Sequence, residues 1–377
     1  MQRTDIPPCF AGIFILLLLC TAGCLSSPSL PPVPVTPPPT QGIVPAGSPE
    51  VNETLYVIVE TPEPVSATAF NHSRLSYQNL IITPAITDST EYRRFDFLYR
   101  SNSYVVNIPV NTSLYRAATT SPNKQTGGGA EDFGYLYREM MEDPALDSFY
   151  TDMLKEIRKT RYRGGYNLTD DEYLEMVTSF VQQIPYDNTT AGNPRYPVEV
   201  IFDGKGDCDE KALLLNGLLS REGYDVALMA FPSLKHVTSG IRIYLPSNKP
   251  SFRVFSDGNR DYVYIETTTT RLIGFYGDDY DQVPPPVVVP VGTGTLQYRK
   301  INYVMKIFAD LRTMEDQLEM LQEKAGPSHV LGGDDYTAAV SYVNTYMFVM
   351  STNDVEAARD AIRKSELRHH TVCVSCG

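Results

Sequence analysis

Cys208 follows Asp203-Gly204-Lys205-Gly206-Asp207 and opens an apolar helical run in which Cys208, Ala212, Leu215 and Leu219 share one face. Gly204 and Gly206 let the backbone turn sharply ahead of it, and Gly223 is placed to end the helix. A thiol in the first turn of a helix meets unpaired N–H groups and the positive end of the helix dipole, which favour thiolate over thiol. The same N–H groups can receive the oxyanion formed when a thiolate attacks an acyl carbon. Such a nucleophile needs a base, and His236 is the one histidine of the central region, between the strand-like runs Val226 to Phe231 and Ile241 to Leu245. A third group should hold the imidazole by accepting its second N–H. Glu266 ends the strand-like Tyr262-Val263-Tyr264-Ile265, after the hairpin-like turn Asp257-Gly258-Asn259-Arg260, and is placed for that role.

Two carboxylates oppose this chemistry. Asp207 and Asp209 raise the pKa of a thiol between them unless they face solvent or bind backbone N–H groups. Asp207 has the residue type and position of an N-cap, and Lys205, Lys211 and Lys235 are the cations that could offset the pair. Gln183 and Tyr186, just upstream, are the candidates for a second oxyanion donor.

Tyr196-Pro197-Val198-Glu199, Gly206-Asp207-Cys208, Ala212-Leu213-Leu214-Leu215, Gly223-Tyr224-Asp225-Val226-Ala227-Leu228, His236-Val237 and Tyr264-Ile265-Glu266-Thr267-Thr268 stand in order along the chain. Taken together they resemble the transglutaminase-like domains of the papain-like cysteine-enzyme superfamily, over about residues 165 to 275. The resemblance implies an α+β fold in which a helix bearing Cys208 packs on an antiparallel sheet bearing His236 and Glu266. It implies Cys208 as nucleophile, His236 as general base and acid, and Glu266 as orienting acid. Glu266 has one methylene more than the Asp usual there, and the chain contains no Trp, where the family's strand around the base is rich in aromatics. The implied activity is acyl-thioester chemistry on a peptide or cell-surface amide, with no cofactor and no metal. The acyl group would pass to water (peptidase or amidase) or to an amine (transglutaminase), and water is favoured because it needs no dedicated binding site. A non-catalytic binding or structural module on the same fold is the competing class. Anchored outer-surface proteins of archaea carry domains that look like this one.

The elements around this centre follow from local patterning. Residues 50–118 read as a small β domain, with alternation at Leu55, Val57 and Val59 and a β-branched run at Tyr104 to Ile108. Gly127-Gly128-Gly129 marks a linker, and residues 132–298 hold the transglutaminase-like domain. Thr169-Asp170-Asp171-Glu172 has the form of a capping box, and Pro185 stops the helix it opens. Residues 299–366 read as helical. Val304, Ile307, Leu311, Met314, Leu318 and Leu321 recur there at spacings of three and four, the pattern of a packed bundle helix that could also serve a dimer through 304–321. Asp257, Asn259 and Asp261 imitate the start of a calcium loop but lack its Gly and bidentate Glu, so a polar turn is expected. The tail, 367–377, carries His369, His370, Cys373 and Cys376 too closely spaced for known zinc sites, and a local disulfide or frayed end is expected.

Residues 1–23 read as a leader: Arg3, then an apolar run from Phe10 to Leu19 too short for a comfortable span, then small residues before Cys24. Its end resembles a lipoprotein signal with Cys24 as the lipid-bearing residue; an uncleaved anchor or a plain signal peptide are the alternatives. Residues 24–49 carry nine prolines and no charge, the composition of an extended tether. Each reading places the rest of the chain on the extracytoplasmic side of a cell membrane. The composition agrees with a folded body and narrows its class. Across 377 residues, 32 Lys and Arg face 45 Asp and Glu, a net charge of −13 that argues against a phosphate-backbone binder. Six cysteines are too few for a disulfide scaffold.

Overall fold

A computed structural model describes residues 82–85, 89–121, 130–162, 167–187, 194–244, 253–276, 283–292, 294–326 and 331–374, with side chains described outside 130–135 and 367–374. The leader, Cys24, the tether, most of the first β region, the triple-glycine linker and the side chains of the tail lie outside these residues. Among the described residues no helix is long and apolar enough to cross a membrane.

The described chain opens on an antiparallel hairpin, β1 (Thr90–Tyr99) and β2 (Asn102–Asn111), joined through Arg100 and Ser101 at positive φ. Tyr104, Val106, Ile108 and Val110 alternate inward along β2, as period-two patterning requires. The β reading to residue 118 is corrected here: the chain turns helical as α1 (Thr112–Thr119). The reason is local, because the Asn111 side chain accepts from the Ser113 and Leu114 amides and caps the new helix.

Next come α2 (Ala130–Met141), α3 (Asp147–Arg161) and α4 (Asp170–Gln182). The capping box at Thr169 and Glu172 forms as the sequence indicates. The short α5 (Pro197–Asp203) leads to the cysteine helix, α6 (Cys208–Arg221), which lies against the sheet. That sheet contains β3 (Val226–Phe231), β4 (His236–Arg242), β5 (Phe255–Ser256), β6 (Asp261–Ile265) and β7 (Val287–Val291) in the order β5-β6-β4-β3-β7, with every pairing antiparallel. β3 is buried along its whole length, which explains its unbroken apolar sequence. Val226 and Leu228 join the main core while Ala227, Met229 and Phe231 join a smaller cluster with Phe255, Tyr262 and Tyr264 on the other face.

Three helices end the described chain: α7 (Ile301–Ala325), α8 (Gly333–Val349) and α9 (Val355–Val374). Val304, Ile307, Leu311, Met314 and Leu318 are buried, and α8 and α9 pack against α7. The hairpin, the helices, one sheet face and this C-terminal bundle share one core. The architecture is mixed helix and antiparallel sheet, an α+β arrangement.

Candidate active site

Gly204, at φ +69, closes α5 in the left-handed conformation that a side chain disfavours. Gly206 is pinned by its amide to the Pro185 carbonyl (3.1 Å), while its own carbonyl accepts from the Asp187 amide (3.1 Å). Asp207 then caps α6: it accepts from the Glu210 amide, and Glu210 accepts in return from the Asp207 amide at 3.0 Å. Cys208 is thereby fixed in the first helical turn, half-buried and with a free thiol.

The backbone amides of Val237 and Asp209 favour negative charge on the sulfur. Two larger effects oppose them. Burial, followed by the carboxylate of Asp209, pushes the Cys208 thiol up to about 12. The thiol lies 3.6 Å from Asp209 Oδ1, and the Tyr137 hydroxyl on α2 donates to the same carboxylate group. The resting group is a neutral thiol, with burial first and the flanking carboxylates second opposing the backbone donors of the helix start. Lys205 and Lys211 do not offset them. Lys205 pairs with Asp187 at 2.9 Å, and the buried Lys211 ammonium donates to the carbonyls of Gln182 (3.1 Å) and Ile184 (2.7 Å). Burial lowers Lys211 to about 8, against the pull of Glu266. Lys235 is exposed, at the end of the turn directly before β4.

His236 opens β4 opposite Phe231, directly before Val237, whose backbone amide favours charge on the sulfur. Burial holds its imidazole below the ordinary histidine pKa, against the attraction of Glu266 and Asp209. Its Nε2 is 3.2 Å from the Tyr264 hydroxyl, which donates to Glu266 Oε2 at 2.8 Å. Glu266 Oε1 accepts from the Thr268 amide (2.7 Å) and hydroxyl (2.6 Å). Burial alone would raise the Glu266 carboxyl, but these donors and His236 outweigh it, and the pKa falls below the usual value. The adjoining Thr267 hydroxyl reaches back to the Cys208 carbonyl at 3.4 Å, tying the end of β6 to the cysteine helix. His236 and Glu266 therefore come together with a tyrosine between them, while the links to Cys208 run through the Thr267 hydroxyl and the backbone at Val237.

The two upstream candidates separate. Gln183 accepts from the Leu98 amide (2.9 Å) and donates to the Leu98 carbonyl (2.8 Å) and to Ser179, so its amide serves the hairpin. Tyr186 is exposed and bridged to Gly206. Its phenol is pushed up to about 12, first by the partial burial of its ring and then by Cys208, Asp207 and Asp209, so the hydroxyl stays protonated.

Sequence reasoning missed Tyr264, Thr268, Gln182 and Tyr137. The first was within reach, because Tyr264 and Glu266 are two apart and the strand period puts them on one face. Gln182, whose amide donates to the Glu266 carbonyl at 2.8 Å, lies within an apolar helix and carried no such signal. For a cation, the ligand atoms of Asp207, Cys208 and Asp209 lie within 4.8 Å of one another. Asp207 already caps α6 and Asp209 accepts from Tyr137, so capping accounts for this cluster. At Asp257, the carboxylate accepts from the Asn259 (2.8 Å) and Arg260 (2.7 Å) amides, and the expected polar turn is what forms.

No family model matches the chain, and no curated protein does. Among solved structures it is similar to LapG of Legionella pneumophila at 20% identity, over 30% of this chain and 61% of that one, with a TM-score of 0.20. The EGTA-treated form of LapG matches at 16% identity over 45% of this chain and 89% of that one (TM-score 0.25). The calcium-bound form matches at 16% over 38% and 91% (TM-score 0.21). TM-scores this low describe a partial likeness and assign neither fold nor activity.

Proposed function

We propose that this protein is an extracytoplasmic, transglutaminase-like cysteine enzyme that hydrolyses a peptide or cell-surface amide through an acyl-thioester, with its leader anchoring it to the membrane. The observation that supports this reading is Cys208 at a helix start beside the backbone of Val237, with the preceding residue, His236, held through Tyr264 to Glu266. Both members of the pair rest neutral, which suits general-base catalysis rather than a preformed ion pair. His236 would take the thiol proton as sulfur attacks the carbonyl carbon, then give it to the departing amine. Water, deprotonated by the same imidazole, would break the thioester and return the thiol. Tyr186, whose phenol stays protonated under the influence of partial burial and of Cys208, would serve the oxyanion. Transfer to an amine instead of water uses the same first half-reaction.

A non-catalytic binding module is the second reading, favoured by the neutral thiol and its placement against Asp209. Alkylation by iodoacetamide from pH 5 to 10, on wild type, Cys208→Ala and His236→Ala, separates the two. An enzyme gives Cys208-dependent labelling near neutral pH that falls by about tenfold or more without His236. Superimposable profiles for wild type and His236→Ala, rising only toward the pKa of the buried thiol, would sink the catalytic reading and leave the binding module.

A further inference from the structure

The hydrogen bonds beyond His236 have a direction that can be worked out from the acceptor at their end. Glu266, half-buried, takes two hydrogen bonds from Thr268 on Oε1, feels the charges of His236 and Lys211, and holds its carboxyl below the usual pKa. An ionised carboxylate only accepts. The 2.8 Å contact between Tyr264 and Glu266 Oε2 must then carry the phenol proton toward Glu266. With its proton committed there, the Tyr264 oxygen faces the imidazole as an acceptor, and the 3.2 Å contact to His236 Nε2 is filled by an N–H from the ring. A neutral imidazole protonated on Nε2 has its basic lone pair on Nδ1.

We infer that Tyr264 is a positioning residue: its hydroxyl relays the Glu266 acceptor to His236, fixes the Nε2–H tautomer, and so makes Nδ1 the atom that takes the thiol proton. The role rests on the catalytic reading of Cys208 and His236 for its purpose, though not for its geometry. It also accounts for the position of Glu266. A glutamate just past the end of β6 reaches the phenol rather than the ring, so the tyrosine supplies the span between carboxylate and imidazole. Tyr264 is suited to hold still, being buried with its ring edge-on to Phe231 at 6.3 Å.

Tyr264→Phe removes the hydroxyl and keeps the ring, so the fold should survive. The test is long-range 1H–15N NMR of the full chain with 15N-labelled histidine at pH 7.5, the His236 signals being assigned by their loss in His236→Ala. Wild type should show a protonated Nε2 and an unprotonated Nδ1, and Tyr264→Phe should lose that preference, giving averaged nitrogen shifts. Glu266→Gln should disturb the same signature, since the phenol then meets an amide able to donate as well as accept. Labelling of Cys208 by iodoacetamide at neutral pH should slow about 10- to 100-fold in Tyr264→Phe, as expected when an acid–base group loses its orientation. A wild-type ring protonated on Nδ1, or a tautomer unchanged in Tyr264→Phe, overturns the inference. Labelling that ignores His236 overturns the catalytic reading instead, while the nitrogen shifts still decide the role of Tyr264.

Discussion

At Cys208 two local influences compete, and their sizes decide the outcome. A helix N-terminus favours a nearby negative charge by about 0.3–1 kcal/mol, or roughly 2 in a partly buried geometry. Desolvation can move a pKa by up to about 3–5 units, each worth about 1.4 kcal/mol. Burial wins, Asp209 adds to it, and the thiol is pushed up to about 12. Replacing Asp209 by Asn should therefore lower the thiol pKa and move the alkaline limb of iodoacetamide labelling to lower pH, with a several-fold faster reaction at pH 9. An unchanged limb would mean that Asp209 exerts no field on the sulfur. The competition was visible in the sequence because Asp209 is the next residue. Its second partner, Tyr137, is 72 residues away and was not.

At the scale of elements, α6 shows where helix propensity yields to packing. Gly217 lies in the middle of this helix, and a methyl group there would come within 2.1 Å of the Tyr150 hydroxyl and 2.5 Å of its ring carbon. Gly217→Ala gains roughly 1 kcal/mol in intrinsic propensity, yet overpacking a closed interface costs about 1–3 kcal/mol. Tyr150 is fully buried with Arg221 stacked over it at 3.9 Å, so it has little room to retreat. The expected result is a lower thermal midpoint, and a midpoint at or above wild type would show that α3 can move away. Much of the element pattern was legible: the capping box at Thr169, the cap at Asp207, the apolar β3 and the stripe along α7 are all written in residues a few positions apart. The helix α1 was not read, although Asn111 is a capping type, because the β-branched run before it dominated the pattern.

Across the whole molecule, Glu175 joins parts that are far apart in sequence. Its carboxylate, buried on α4, accepts from Tyr99 of the hairpin (2.9 Å), from Tyr298 (3.0 Å) and from Lys300 (3.2 Å) at the approach to the C-terminal bundle, while its carbonyl accepts from Asn353 (2.9 Å). Burial raises this carboxyl to about 7, against the pull of Lys300 and the two phenols. The folded state then binds the proton more tightly than the unfolded chain, whose pKa is near 4.5. The stability from this group is complete below pH 4.5 and is lost as pH rises toward 7, a change of about 3 kcal/mol. Thermal unfolding at pH 5 and pH 8 should show wild type losing more stability than Glu175→Gln over that interval. Parallel losses would mean that Glu175 titrates alike in both states.

The sequence by itself determined what neighbours along the chain decide: where helices start and stop, which strand is apolar throughout, and that a lone central thiol at a helix start is followed by a histidine and a carboxylate on strands. Only the tertiary structure decided which of these groups touch. It put Tyr264 between His236 and Glu266, the Thr267 hydroxyl on the Cys208 carbonyl, Lys211 on helix-end carbonyls instead of beside Asp207, and Gln183 on Leu98, 85 residues away. The reason is physical. Caps and periodicities act within one or two turns, whereas these contacts depend on strand register and on how α6 lies against the sheet. A shift of one residue in register would turn every side chain of a strand to its other face.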